Sequence, residues 1–170
     1  ILAESYWSGG MGDGGGCHPR DNIALSWLSR ELNLSHDWFD NIMMQRENQT
    51  DWLADLIEEQ KEKIGNDRKI YILGKSFKPE TNITTGSPSI LLKNILEERG
   101  HHVEMWDPYV DDSENESQQE PQVYFIGTKH PDFTFYNYNN GSIIIDPWRY
   151  IPNQDNCKVI HIGDNLNEAH

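Results

Sequence analysis

The chain has only two cysteines, Cys17 and Cys157, and they lie far apart in a sequence of 170 residues. A small fold held together by disulfides needs more cysteines than this, so the composition excludes a disulfide scaffold. No signal peptide is visible at the start, and two thiols without such a segment favour a reducing compartment. We therefore expect a cytoplasmic protein.

The sequence also lacks a long hydrophobic run and an excess of basic residues. No apolar stretch approaches the roughly 18 residues that a membrane span needs. Lysine and arginine number 14 against 28 aspartate and glutamate, which gives a formal net charge of −14. Such a charge repels nucleic acid and anionic membranes, so neither is expected as a partner. The histidines and cysteines show no compact metal-ligand spacing, and no metal is predicted.

What is present is a change of pattern near residue 66. Residues 1–65 begin with a glycine-rich loop and continue with the apolar periodicity of two helices. Asp21 and Ser35 are the predicted N-caps of these helices, and Gly65 is the predicted end of the second. Residues 66–170 contain five β-rich runs and one helix between the first two runs. The runs are 69–73, 102–106, 122–126, 142–145 and 158–162.

Strand, helix and strand at these spacings form a βαβ unit. The pattern therefore predicts an α/β fold, with a Rossmann-like and mostly parallel sheet preceded by a helical section and a glycine-rich loop. Ligands of such sheets bind beyond the carboxyl ends of the strands. We therefore expect ligand contacts in residues 74–81, directly after the first strand.

The segment with the most chemical information runs from Gly12 to Asp21 and reads GDGGGCHPRD. Glycines let a backbone approach a bulky ligand. A thiol near a helix N-terminus and a guanidinium, such as that of Arg20, is stabilised as the nucleophilic thiolate. Taken from the residues alone, Cys17 is either an activated nucleophile or a structural cysteine in a tight turn.

Four segments, in order, resemble the UDP-glucose/GDP-mannose dehydrogenase family. GDGGGCHPRDNIAL from Gly12 resembles the family's catalytic-cysteine signature, roughly G-F-G-G-x-C-F-P-K-D-x-x-A-L. LGKSFKPETNITTGSP from Leu73 resembles L-G-x-x-F-K-P-x-T-x-D-x-R-x-S-P. Two shorter and less specific matches are Trp106-Asp-Pro108 and Ile144-Ile-Asp-Pro-Trp-Arg149.

The resemblance implies the carboxyl-terminal half of an NAD-dependent nucleotide-sugar 6-dehydrogenase with a UDP-glucose-like substrate. Such enzymes oxidise the sugar C6 alcohol to a carboxylate, through a thiohemiacetal and a thioester on the cysteine. Cys17 would be this nucleophile. Asp21 would help to orient or activate water, and its role as a helix N-cap is a compatible alternative. The family habit also implies a homodimer.

The resemblance further implies five residues in contact with the nucleotide sugar. Lys78 matches the family lysine that contacts it, and Phe77 would pack beside it or fill the core. Gly14 would run along the substrate, and Tyr6 stands in the place of an aromatic near the uridine. Arg149 would reach a ligand, across a dimer interface.

Several positions depart from the family pattern. Asp13, His18 and Arg20 replace a phenylalanine, an apolar residue and a lysine, while Ile83 and Thr85 stand where an acid and an arginine are usual. No residue is therefore assigned to NAD contact. The family's amino-terminal NAD-binding domain, with its G-x-G-x-x-G, has no counterpart here, so the chain alone should be inactive. The alternative is a non-catalytic nucleotide-sugar-binding or assembly module with a degraded active site.

Overall fold

The computed structural model describes residues 9–12, 14–113 and 120–163. Tyr6, predicted to contact the nucleotide sugar, and Asp13 lie outside the described residues. Two helices come first: α1 spans His18–Glu31 and α2 spans Trp38–Ile64. Among the described residues, no helix is both long and apolar enough to cross a membrane.

In the described residues a five-stranded sheet follows, together with a third α-helix and a 3-10 helix. The elements are β1 (Ile70–Leu73), α3 (Pro88–Glu98), β2 (Val103–Trp106), β3 (Val123–Ile126), the 3-10 helix (Pro131–Phe135), β4 (Ile143–Asp146) and β5 (Lys158–His161). The strand order is β2-β1-β3-β4-β5, and every pair is parallel. The predicted α/β fold with a parallel sheet is confirmed.

The sheet is covered on both faces, and this explains why its strands are nearly continuous apolar runs. All residues of β1, β3 and β4 are buried. One face packs against α2 and α3 through Leu53, Ile57, Leu92 and Leu96. The other face is largely aromatic, and its buried members include Tyr71, Tyr124, Phe133 and Tyr138.

Both predicted N-caps are wrong. The α1 helix begins at His18 with Cys17 as its N-cap, and the N–H of Asp21 donates to the Cys17 carbonyl at 2.8 Å, so Asp21 lies inside the first turn. Proline suits the first turn of a helix because its ring presets φ, and Pro19 starts α1 earlier than Asp21 would. For α2 the cap is Asp37 rather than Ser35, because its carboxylate accepts from the N–H of Asp40 at 3.0 Å.

Candidate functional site

The glycine-rich loop lies against the segment that follows β1. The N–H of Gly15 donates to the carbonyl of Gly86 at 3.2 Å. The φ of Gly15 is +88°, and a Cβ there would stand 3.0 Å from Cε2 of Phe77. A Cβ on Gly14 would stand 3.2 Å from Cβ of Phe77. Only glycine allows this approach, so the first two family-like segments meet in space.

The start of the same loop touches the turn after β4. A Cβ on Gly10 would stand 2.4 Å from the Trp148 ring, and a Cβ on Gly9 would stand 2.7 Å from the Pro147 carbonyl oxygen. The Trp148 indole is held in place because its Nε1 donates to the Ile126 carbonyl at 3.0 Å. Sequence reasoning missed Trp148 as a site residue, although its position between Pro147 and Arg149 in the fourth family-like segment was the available signal.

Arg149 belongs to this turn. The Asp146 carboxylate, fully buried at the end of β4, accepts hydrogen bonds from four successive backbone N–H groups. Their donors are Trp148 (2.9 Å), Arg149 (3.0 Å), Tyr150 (2.7 Å) and Ile151 (2.7 Å). This turn holds Arg149 at a φ of +58°, with its side-chain carbons next to Gly9. The predicted residue therefore lies at the edge of the glycine-rich loop.

Cys17 is exposed and forms no disulfide. Its neighbour Arg20 pairs through Nε with Oδ1 of Asp21 at 3.1 Å. The hydrogen bond to Asp21 raises the pKa of the Arg20 guanidinium, and interaction with Cys17 adds to this effect. The two predicted catalytic residues thus stand one helical turn apart at the start of α1, with a permanent cation beside both.

A groove with a volume of about 630 Å³ lies between the glycine-rich loop and the helices α1 and α2. Its walls include Gly12 of the loop, His18 of α1, and Trp38 and Arg46 of α2. The groove is open and mixes polar with apolar side chains, which suits a polar organic ligand. None of the wall residues was predicted as a site residue, because the groove exists only where α1 and α2 pack together.

Lys78 and Phe77 lie on the loop that follows β1, as predicted. The Lys78 ammonium stands 5.4 Å from the centroid of the Phe77 ring, a distance at which a cation and an aromatic face attract. Phe77 packs on the backbone of Gly14 and Gly15. Phe77 therefore packs against the glycine-rich loop that carries Cys17, rather than simply filling the core.

The third family-like segment supplies the anchor of this loop. Oδ2 of Asp107, which is fully buried, accepts from the N–H of Lys75 at 2.7 Å and of Ser76 at 2.9 Å. Burial acts to raise the pKa of Asp107, but hydrogen bonds from His130 and from these N–H groups outweigh it and hold the pKa well below its ordinary value. Asp107 is therefore a permanent anion beneath the loop.

The same contacts bear on cofactor binding. In a Rossmann fold the N–H groups after the first strand receive the dinucleotide phosphates. Here Asp107 occupies the N–H groups of Lys75 and Ser76. The described residues therefore do not fit an NAD site at this position. In the described ranges, no group of three or more His, Cys, Asp or Glu side chains could hold a metal ion.

The chain is similar to known nucleotide-sugar dehydrogenases. Residues 71–153 match the UDP binding domain of the UDP-glucose/GDP-mannose dehydrogenase family. The chain is 30% identical to the GDP-mannose 6-dehydrogenase of Pseudomonas aeruginosa over 110 residues, which are 65% of this chain and 24% of the relative. It is also 30% identical to the UDP-glucose 6-dehydrogenase of Rattus norvegicus over 111 residues, which are 64% and 22%.

The fold is shared with a UDP-glucose dehydrogenase from the archaeon Pyrobaculum islandicum. The TM-score is 0.72 at 24% identity, over 89% of this chain and 38% of the other. The resemblance to the UDP-glucose/GDP-mannose dehydrogenase family is confirmed for residues 71–153, which contain three of the four family-like segments. The chain spans about a quarter of the length of the curated relatives it matches.

Proposed function

We propose that the chain is the carboxyl-terminal portion of an NAD-dependent nucleotide-sugar 6-dehydrogenase that acts on a UDP-glucose-like substrate. The observation that carries the proposal is the contact of Gly14 and Gly15 with Phe77. This contact places the loop that bears an exposed thiol against the domain matched as UDP-binding. A nucleotide held beside Lys78 would have its sugar on the side of the cysteine loop.

In this scheme Cys17 acts by covalent capture. Its thiolate adds to the C6 aldehyde, and the resulting thiohemiacetal keeps the aldehyde bound to the protein. After oxidation the sugar is held as a thioester, which water cleaves to give the carboxylate and free thiolate. Asp21 is positioned in the same helical turn to orient that water, and the Arg20 guanidinium pairs with its carboxylate. Capture makes the later steps intramolecular.

NAD supplies the hydride acceptor in the proposed reaction. The Asp107 carboxylate accepts hydrogen bonds from the N–H groups after β1, and Ile83 and Thr85 replace the acid and arginine usual in the family. We therefore assign no residue of this chain to NAD binding. The proposal therefore includes an amino-terminal NAD-binding domain, as part of the roughly three quarters of the relatives' length that this chain does not match.

The proposed nucleotide-sugar contacts are Lys78, Phe77, Gly14 and Arg149. Lys78 supplies a cation for the diphosphate in a chain whose net charge is −14, and such local charge is needed to bind an anion against that field. Phe77 and Gly14 shape the surface beside it. Tyr6 remains a prediction from the resemblance.

A homodimer is the second part of the proposal. The helices α1 and α2 expose large apolar side chains, among them Ile23, Trp27, Leu32 and Trp38 at 61–69%. Exposed apolar surface of this extent on neighbouring helices marks an interaction surface. Pairing of two copies through this surface would cover it.

One observation favours the non-catalytic alternative. The methyl carbon Cγ2 of Thr85 lies 3.8 Å from the position of a Cβ on Gly16, directly before Cys17. A neutral side chain thus stands beside the cysteine loop where the family has an arginine. A module that binds a nucleotide sugar without oxidising it would tolerate this change.

The test is Cys17→Ser in the protein that includes the proposed NAD-binding domain, with NADH formation from UDP-glucose as the measurement. The parent should form close to two NADH for each UDP-glucose consumed, and the variant should form no acid, because its hydroxyl is a much weaker nucleophile. Cys157→Ser is the matched control, since the Cys157 thiol is half-buried and donates to the Asn139 carbonyl.

Each outcome has a distinct meaning. Acid formation by Cys17→Ser at the parent rate would show that the thiol is not the nucleophile. A folded, complete protein that binds UDP but forms no NADH from UDP- or GDP-sugars would refute the enzyme and leave the binding module.

A further inference from the structure

A buried polar cluster lies beneath the loop of residues 74–80, and two of its three members, Ser76 and His130, have no role in the scheme above. Ser76, Asp107 and His130 are its members, with exposures of 1%, 0% and 0%. Nε2 of His130 stands 3.0 Å from Oγ of Ser76 and 3.2 Å from Oδ2 of Asp107. The arrangement is not that of a hydrolytic triad, because in a triad the serine and the aspartate contact different nitrogens of the imidazole.

The other nitrogen of His130 reaches the far end of the same loop. The backbone N–H of Glu80 donates to Nδ1 at 3.1 Å. An N–H group can only donate, so Nδ1 is the unprotonated nitrogen and Nε2 carries the proton. The Nε2–H faces the Asp107 carboxylate and the Ser76 oxygen. Both nitrogens of this neutral imidazole are therefore satisfied within the protein.

The cluster holds the loop at both ends and in the middle. Asp107 binds its start through two N–H groups, as described above. The Ser76 hydroxyl donates to the carbonyl of Lys78 at 3.0 Å, and His130 binds the N–H of Glu80. Lys78 lies between these attachments, and its backbone therefore has little freedom.

The backbone conformation of Glu80 explains why the hydrogen bond from its N–H to His130 is needed. The φ of Glu80 is +54°, a conformation that costs a non-glycine residue free energy and persists only when its surroundings hold it. His130 is itself fixed by packing, since the Tyr109 ring stacks on it at 4.6 Å and the Phe133 ring meets it edge-on at 5.4 Å. The strained turn is thus tied to a rigid part of the core.

We propose that His130 is a positioning residue that fixes the loop of residues 74–80, and through it the placement of Lys78 for the nucleoside diphosphate. The inference rests on the proposed function, in which Lys78 contacts that ligand. His130 itself is buried and touches no ligand. Because Phe77 on the same loop supports Gly14 and Gly15, the attachment also bears on the cysteine loop.

The experiment measures the Kd for UDP by calorimetry, on the 170-residue chain and its His130 variants. His130→Phe keeps an aromatic ring but removes both sets of hydrogen bonds. It should weaken UDP binding about tenfold, the size of effect that losing a buried hydrogen bond allows. His130→Asn places an amide oxygen near the position of Nδ1, keeps the acceptor for Glu80, and should bind within about threefold of the parent.

Tyr138→Phe is the matched control. It removes a buried hydroxyl that donates to the carbonyl of Phe133 at 2.8 Å, in the same core but away from the loop. Its thermal stability should fall while its Kd for UDP stays at the parent value. A general loss of core stability would instead weaken UDP binding in this variant as well, and that result would count against positioning by His130.

A double-mutant cycle separates positioning from a structural role. If His130 acts through Lys78, His130→Phe should add little to the loss already caused by Lys78→Ala, because the group being positioned is absent. Losses that add fully would overturn the inference. If His130→Phe does not fold, the pair His130→Asn and His130→Gln decides. The glutamine keeps a donor near Nε2 and lacks the acceptor for Glu80, so equal binding by the two variants would overturn the inference.

The two proposals fail in different ways. A parent chain that is folded and binds no UDP overturns the proposed function. A parent chain that binds UDP, with a folded His130→Phe variant that binds equally well, overturns the positioning role of His130 alone.

Discussion

The sheet and the helix α1 differ in where their apolar side chains lie. In the sheet domain, β1, β3 and β4 are buried at every residue. In α1 the buried residues are Ser26 and Ser29, while Ile23, Trp27 and the C-cap residue Leu32 are each 61% exposed. An amphipathic pattern therefore identifies a helix face that has to be buried, but it does not show whether the same chain or another chain buries that face.

The largest expected effect comes from removing one aromatic side chain from each region. Phe125→Ala, in the fully buried centre of β3, should lower the free energy of unfolding by about 3–5 kcal/mol, because it leaves a cavity. Trp27→Ala should change it by at most about 0.5 kcal/mol in a dilute, monomeric sample, since an exposed ring loses little on truncation. Urea unfolding followed by circular dichroism measures both.

Varying the protein concentration separates the effect of Trp27→Ala on the monomer from its effect on a dimer. If two copies pair through α1 and α2, Trp27→Ala should weaken the dimer in sedimentation experiments, whereas its effect on the monomer stays small. A loss comparable to that of Phe125→Ala in the monomer would contradict the comparison, because it would mean that the chain covers this face itself.

The second prediction concerns the junction between the two regions. Gly15→Ala forces a side chain into a left-handed backbone conformation and against Phe77, at a cost of about 1–3 kcal/mol. The amide of residue 15 should then exchange with solvent about tenfold faster or more, because its bond to the Gly86 carbonyl is lost with the docked loop.

Gly16→Ala is the control for the junction. The nearest atom to its added Cβ would be 3.8 Å away, an ordinary contact, so the amide of Gly15 should keep its protection. Equal exchange in the two variants would show that the loop is not held by close packing on Phe77.

The smallest effect is expected from the ion pairs that join α2 to the end of α3. The Arg99 guanidinium contacts Asp51 at 3.2 Å, Asp55 at 2.7 Å and Glu58 at 2.7 Å. The hydrogen bond to Asp55 is the largest cause of the raised pKa of Arg99, although burial opposes it. Arg99→Met should cost about 1 kcal/mol at low salt, because these groups are partly exposed.

Salt distinguishes charge from packing at this site. In 1 M NaCl the loss should nearly vanish, because charges are then screened within about 3 Å. Lys93→Met, which removes one pair within α3, should cost less than about 0.5 kcal/mol under all conditions. An Arg99→Met loss that salt does not reduce would assign the contact to the methylene stem rather than to the charge.

Local signals were enough for the elements of the sheet domain. Five β-rich runs predicted five strands, each within two residues of the observed ends. For β1, β3 and β4 the signal is simple, because a strand buried on both faces needs an apolar run and little else. The start of α3 is also set locally, since Pro88 opens the helix and the Ser87 hydroxyl accepts from the N–H of Ser89. Gly65 ends α2 as predicted.

The N-caps show where local signals fail. Ser35 and Asp37 are both acceptable cap residues, and the choice was made by a distant contact. The hydroxyl of Ser26 donates to Oδ2 of Asp37 at 2.6 Å, which places the Asp37 side chain at the start of α2. No pattern within the second helix records this contact with the first.

Short-range patterns were enough to predict the parallel α/β sheet, the family-like segments and the glycine-rich cysteine loop, because strand patterns, glycines and proline act within a few residues of chain. The contacts between those segments became visible only in the folded chain. Gly15 needs its missing side chain because Phe77, 62 residues later, packs on it, and His130 holds Glu80 across 50 residues. Contacts of this kind depend on how the chain closes in space, and the local pattern carries no trace of them.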